Sequence, residues 1–354
     1  MLKKNKIMKK IILLMTLSFA VTKLNAAVLL VNNLAGGPGQ YTEVNAAMTA
    51  AFPGDTIYVS GSNVIYAAFN ITKDSITIIG PGTYSDKQNA FAANFNGFTC
   101  DNNLSNIVIK GLNLSDDADF SNAIGLSHIE IIGNVFTTNA GFINFNNADN
   151  ISFVHIANNI FTVANSTPID FVNSTGFNNV IIENNILFGN IRSLNAPNSV
   201  VNNNVFINTT NAFDDFGASL FANVMIKDNI FYKSHPLNNT TGCTYQNNIS
   251  YSPTISYPLM GGTGNIDNTD PLLINAPTGS YTTSFNFHLQ SGSPAIGASS
   301  TGGDMGFYGG SFFSSVTGET YNMPVIRVMD IQNQNVPQNG NVNVKVRSTK
   351  SRTN

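Results

Sequence analysis

Through the middle of the chain one hydrophobic–polar unit recurs. Apolar side chains alternate, a polar turn centred on asparagine follows, and an apolar pair ending in an aromatic or leucine closes the unit. It occurs at 129–136, 154–161, 180–187, 199–206 and 224–231, with a weaker copy at 243–250. Residues 107–114 repeat the pattern without the central asparagine. Asn134, Asn159, Asn185, Asn204, Asn229 and Asn248 are these centres, and they return every 19 to 26 residues. One strong strand per unit at that period predicts a solenoid, because a single coil cannot bury its apolar face until a neighbour stacks on it. The six asparagines are predicted to be structural: stacked at strand spacing, they hydrogen-bond from coil to coil.

Alternation also assigns faces. Ile129, Val154, Val180, Ser199, Val224 and Cys243 form one inward column, and Ile131, Ile156, Ile182, Val201, Ile226 and Tyr245 the other. The outward columns read Glu130/His155/Ile181/Val200/Met225/Thr244 and Ile132/Ala157/Glu183/Asn202/Lys227/Gln246. Extra residues in the longer coils leave as loops, at 137–141, 164–168 and 209–218, and Val200 with Met225 marks a partly apolar face for loops to cover.

Both ends read as caps. Residues 41–52 carry Val44, Ala47, Met48 and Ala51 on one side of a short helix that Pro53 and Gly54 stop, suited to closing a barrel mouth. Residues 55–59 then form the first predicted strand. Near the C-terminus, alternating segments at 325–329 and 342–346 predict a β-hairpin-like tail that protects the last open edge.

The N-terminus changes the charge picture. Lys3, Lys4, Lys6, Lys9 and Lys10 precede a ten-residue apolar run and the small residues Ala26 and Ala27, the layout of a signal peptide over residues 1–26. The predicted organisation is therefore 1–26 signal peptide, 27–320 β-solenoid with its N-terminal cap, and 321–354 tail, in a protein secreted or held at the cell surface and not integral to the membrane. Removing 1–26 takes six of the 17 basic side chains and none of the 20 acidic ones, leaving a formal charge of −9. Without a dense basic stripe, nucleic acid is excluded as a partner. Cys100 and Cys243 lie several coils apart, beyond disulfide reach, and are expected as buried thiols.

Together with the repeats, four segments carry a family likeness: 41–59, 76–82, 265–273 with 289–297, and 304–309. The chain resembles the pectin-lyase-like right-handed parallel β-helix superfamily, in particular its exported bacterial members. The resemblance implies an all-β, right-handed parallel β-helix solenoid with an N-terminal capping helix and a C-terminal β tail. It leaves activity open, since the superfamily spans lyases, hydrolases, epimerases and non-catalytic surface proteins. Its lyases cleave uronate polysaccharides with calcium-holding acids and nearby Arg or Lys, and the two outward columns above stack no pair of carboxylates.

Candidate chemistry is correspondingly sparse. Asp116, Asp117 and Asp119 form the densest acidic cluster, able to ligate calcium or to supply an acid–base pair, and Asp214 with Asp215 is a second such group. Glu130 and His155 occupy equivalent positions on neighbouring coils, where a carboxylate tunes an imidazole base. Lys110, Arg192 and Lys227 are candidates for meeting a sugar carboxylate. No protein-held cofactor is expected beyond calcium at an acidic turn, and His128, His235 and His288 stand apart from cysteine, which argues against zinc. Two function classes follow: a structural, carbohydrate-binding or surface-binding β-helix whose partner is a polysaccharide or cell-surface glycan, and a polysaccharide lyase or glycoside hydrolase.

Overall fold

The computed structural model describes residues 26–82, 91–138, 142–164, 166–207, 209–237, 239–275, 281, 282 and 284–310, with the strand backbones 324–331 and 344–350. The predicted signal peptide lies outside these residues except for Ala26. Among the described residues no helix is long and apolar enough to cross a membrane.

The chain winds as a right-handed parallel β-helix. The first sheet contains ten parallel strands, from Val28–Val31 and Thr56–Val59 to Thr244–Gln246. The second contains eight, from Asn94–Phe95 to Ile249–Tyr251, and the third contains seven, from Phe69–Ile71 to Phe213–Asp214. The inward columns of the first sheet pair in the expected register, Ile129 with Val154 and Ile131 with Ile156. Rings stack from coil to coil inside the barrel. Phe120 lies on Phe145 and Phe145 on Phe171 at 4.9 and 5.1 Å between centroids, and Phe136 lies on Phe161 at 4.6 Å. Each buried ring contributes about 1.5–3 kcal/mol of transfer energy, which makes this interior the main source of cohesion.

The corner between the first and second sheets is built from residue doublets. Asn158, Asn184, Asn203, Asp228 and Asn247 adopt left-handed φ values of 51 to 58°. Each sits just before a ladder asparagine, and Gly133 takes the same role before Asn134. Asparagine and glycine adopt this conformation at lower cost than other residues. The next residue turns inward. Asn159 Oδ1 accepts from the backbone N–H and Nδ2 of Asn134 at 3.0 and 3.1 Å, while Asn159 Nδ2 donates to Ile131 O at 2.8 Å. The same pattern passes through Asn185, Asn204, Asn229 and Asn248 and continues one step further, to Asn265. At the other end Leu112 replaces asparagine, and its N–H donates to Asn134 Oδ1 at 2.9 Å.

The helix α1, Val44–Ala50, is shorter than the 41–52 span but buries Val44, Ala47 and Met48, with Ala51 just beyond it, over the barrel mouth. Lys73 Nζ donates to Thr49 O and Ala51 O at 2.7 and 2.6 Å, placing a cation at its C-terminal end. The first strand is Val28–Val31 rather than residues 55–59, and it pairs in parallel with Thr56–Val59. Four residues are too short a run to show a period, so this strand escaped the sequence pattern.

A C-terminal strap covers the outer face of the second sheet. Val135, Ile160, Ile186, Val205, Ile230 and Ile249 point away from the barrel interior and are buried with Leu273, Phe287, Ala295, Met305 and Phe307. The left-handed residues at the corner clamp this strap. Asn184 Nδ2 donates to Phe307 O and Gly309 O, both at 2.8 Å, and Asp228 Oδ2 accepts from Ser300 Oγ at 2.6 Å. The tail is an antiparallel pair, Pro324–Ile331 with Val344–Lys350; the rest of 321–354 lies outside the described residues.

Two expectations need correcting. Cys100 and Cys243 are free and pack against the core, but both are only half-buried. Ile181 and Met225 are 40% and 43% exposed, so the apolar part of the first sheet's outer face is not covered by a described loop.

Candidate functional site

The third sheet presents a column of polar residues, one per coil. Its short strands follow one rule, an apolar residue pointing in and a polar one pointing out. Phe69, Phe98, Ala118, Ile143, Ile169, Ile191 and Phe213 stack inward. Asn70, Thr99, Asp119, Asn144, Asp170, Arg192 and Asp214 stack outward at one residue per coil. Asp119, Asn144 and Asp170 each accept from the backbone N–H two residues on, at 2.9, 3.0 and 3.1 Å, which fixes their side chains as they leave the strand.

At its N-terminal end this column forms the floor of a cleft of about 510 Å³. Asn70, Thr99 and Asp119 line the floor, with Asn45 of α1 on one side and Asn96, Asp116 and Asp117 on the other. Asn45 joins helix and sheet, with Oδ1 accepting from Asn70 N–H at 3.0 Å and Nδ2 donating to Ala68 O at 3.1 Å. Gly97 has φ +112°, and a side chain there would stand 2.6 Å from Asp117 O, so glycine lets the two turns close on each other.

Asp117 is the chemically distinctive group of the cleft. Burial above all, with the charges of the neighbouring Asp116 and Asp119, pushes its carboxyl up to about 7 against the lowering effects of the Phe142 N–H and Asn144. The Phe142 bond to Asp117 Oδ1 is long, at 3.4 Å. A carboxyl group held at this value donates or accepts a proton near neutrality. Among the described residues no group of three or more His, Cys, Asp or Glu side chains is placed to hold a metal ion.

Further along the column Arg192 pairs with buried Asp170, with Nε–Oδ1 at 3.0 Å and a second, shorter bond from Nη2 to Oδ2. That hydrogen bonding, with the charge of Asp170 and Asp214, raises the guanidinium pKa. The cation also lies 5.2 Å from the Phe216 ring centroid. Asp214 Oδ1 accepts from Asn239 Nδ2 at 2.7 Å, whereas Asp215 turns back to accept from Phe221 N–H at 2.6 Å.

The remaining sequence candidates lie on the first sheet. Glu130 and His155 are register partners. His155 Nε2 nonetheless bonds Glu183 Oε1 at 2.8 Å, and Glu130 pairs with Lys110 at 3.6 Å. Burial pushes the Glu183 carboxyl up, but hydrogen bonds from His155 and Asn202 outweigh it and hold the group below its ordinary value. Lys227 lies 3.8 Å from Asp228 and 3.4 Å from Ser300 Oγ, engaged at the strap. The structure thus brings Asp116, Asp117 and Asp119 together, sets Arg192 and Asp214 on the same face further along, and leaves Lys110, Lys227, Glu130 and His155 on another.

Sequence reasoning missed Asn70, Thr99, Asn144 and the third sheet itself. A signal was present in the apolar–polar–aromatic triplets Ala118-Asp119-Phe120, Ile143-Asn144-Phe145 and Ile169-Asp170-Phe171. No family model matches the chain, and no curated protein matches its sequence, so its own side chains carry the functional reading.

Proposed function

We propose that this chain is an exported β-helix that binds a polysaccharide along the outer face of its third sheet. The observation that supports this most directly is the single outward polar column running into the Asp117 cleft. Strands stack about 4.8 Å apart, so such a column offers an extended, hydroxyl-bearing chain a regular series of donors and acceptors. Polar groups fixed by rigid backbone lose little freedom on binding. The likeness to pectin-lyase-like proteins agrees with a glycan partner, as does the signal-peptide layout with export.

A second reading, glycoside hydrolase or polysaccharide lyase, is favoured by Asp117 alone, a proton donor near neutrality beside two further carboxyl groups. One experiment separates the two. Purified protein is run against neutral and acidic polysaccharides, with and without calcium, scoring both retention and new reducing or unsaturated ends. Retention without cleavage, weakened by Thr99→Ala, is the expected result. Cleavage abolished by Asp117→Asn would replace binding with catalysis, and neither retention nor cleavage across the panel would overturn both readings.

A further inference from the structure

The second sheet carries another surface, on a different face from the cleft. Tyr232 and Tyr251 are register partners on its last two strands, next to buried Ile207. Where the strap covers this face the residues are apolar and buried; Tyr232 packs against them from the side, and both rings are only half-buried. Their centroids are 5.8 Å apart and their planes are tilted by 44°, forming an open angle between successive coils. Among the described residues neither phenol hydroxyl has a hydrogen-bond partner.

Lys233 flanks the rings. Its backbone takes a left-handed φ of 54° and its N–H donates to Tyr251 O at 2.7 Å, while Nζ lies 5.3 Å from the Tyr232 ring centroid. The other described cations of the barrel are engaged: Lys73 by carbonyls, Lys110 by Glu130, Arg192 by Asp170 and Lys227 at the strap. Among these cations only the Lys233 ammonium has neither a hydrogen bond nor an ion pair within the described residues. Asp270 lies close enough to Tyr232 to add its charge to the effect of burial on the phenol, and its Oδ1 accepts from Leu272 N–H at 2.8 Å.

We propose that Tyr232, Tyr251, Lys233 and Asp270 form a separate subsite for a neutral sugar ring. Aromatic faces receive the C–H face of a pyranose, and a few polar groups at their edge fix its orientation. The charges select an uncharged ligand. A hydroxyl accepts from Lys233 and donates to Asp270, and one cation beside one carboxylate leaves no net charge to favour an ionised ring. This subsite is independent of the cleft and holds whether the cleft binds or cleaves.

Affinity electrophoresis of the full chain through gels containing galactomannan or hydroxyethyl cellulose, with polygalacturonate as the charged control, tests the assignment. The chain is expected to be retarded by at least one neutral polymer. Tyr232→Ala and Lys233→Ala should each weaken that retardation, the tyrosine change by roughly fivefold or more. Tyr232→Phe should retain most of it. Circular dichroism and Tm identify any variant that has lost its fold, and Lys233→Ala, which removes no core contact, keeps the test decisive. Ile181→Ala, on the exposed outer face of the first sheet and outside both surfaces, should leave this retardation unchanged. No retardation by either neutral polymer, or retardation insensitive to Tyr232→Ala and Lys233→Ala, overturns the proposal.

Discussion

Two columns of polar residues run along this barrel, one residue per coil, and they differ in what surrounds them. At the corner of the first and second sheets, Asn134 to Asn265 is a column of one residue type, buried through Asn248, each side chain joined to its neighbour's. On the third sheet, the column from Asn70 to Asp214 mixes amide, hydroxyl, carboxylate and guanidinium, and most of its members reach solvent. A buried column must satisfy every donor and acceptor internally, which selects a repeated side chain of fixed length. An outer column has water for a partner and can vary with whatever it contacts. Uniformity therefore marks structure here, and variety marks the surface available for recognition.

The sharpest way to break this contrast is Asn204→Leu. It removes the acceptor of the Asn185 N–H and Nδ2 and the donor to Ile182 O, in a fully buried turn. With roughly 1–3 kcal/mol for each buried group left unpaired, a loss of about 3–5 kcal/mol is expected in denaturant unfolding. A loss below about 1 kcal/mol would show the ladder to be incidental.

Asp170→Ala tests the one outer-column member that is itself fully buried. It leaves Arg192 without its partner and Val172 N–H without its acceptor, and about 1–3 kcal/mol should be lost. The same change at exposed Thr99 should cost less than about 0.5 kcal/mol. Equal costs would erase the distinction between the two kinds of position.

The smallest effect, Asp117→Asn, is read through pH. The folded carboxyl titrates near 7 rather than at its ordinary 3.8, so between those values the folded chain holds the extra proton. Stability from this group is therefore present below about pH 4, falls as pH rises towards 7 and stays reduced above it. The variant should match the parent at pH 4 and exceed its Tm at pH 8 by a few degrees at most, because half-exposed groups are screened. A lower Tm at pH 8 would show that the ionised carboxylate is stabilising.

The first sheet and the corner were legible in the sequence because their strands alternate over six residues around a marked turn, as in Ser127–Ile132 and Ser152–Ala157. The capping helix was legible through its single apolar side. The third sheet was not, since a strand such as Ile143–Asn144 has no period and the turns around it vary in length. The acidic cluster was visible as composition, but its place beside Asn70 and Thr99 depends on stacking residues some 20 to 50 positions apart. The covering strap escaped for a related reason: outward Ile160, Ile186 and Val205 look the same in sequence whether water or a distant segment meets them.

Within the asparagine ladder every Oδ1 accepts from the backbone N–H of the preceding coil and never from the following one. A coil leaving the ribosome or a translocation pore thus has its turn amide completed only when the next coil arrives. Assembly from the N-terminus leaves one unfinished rung at the growing end and none behind it. Asn265 finishes the last rung before the strap folds back, so the order of synthesis is also an order in which buried donors are satisfied.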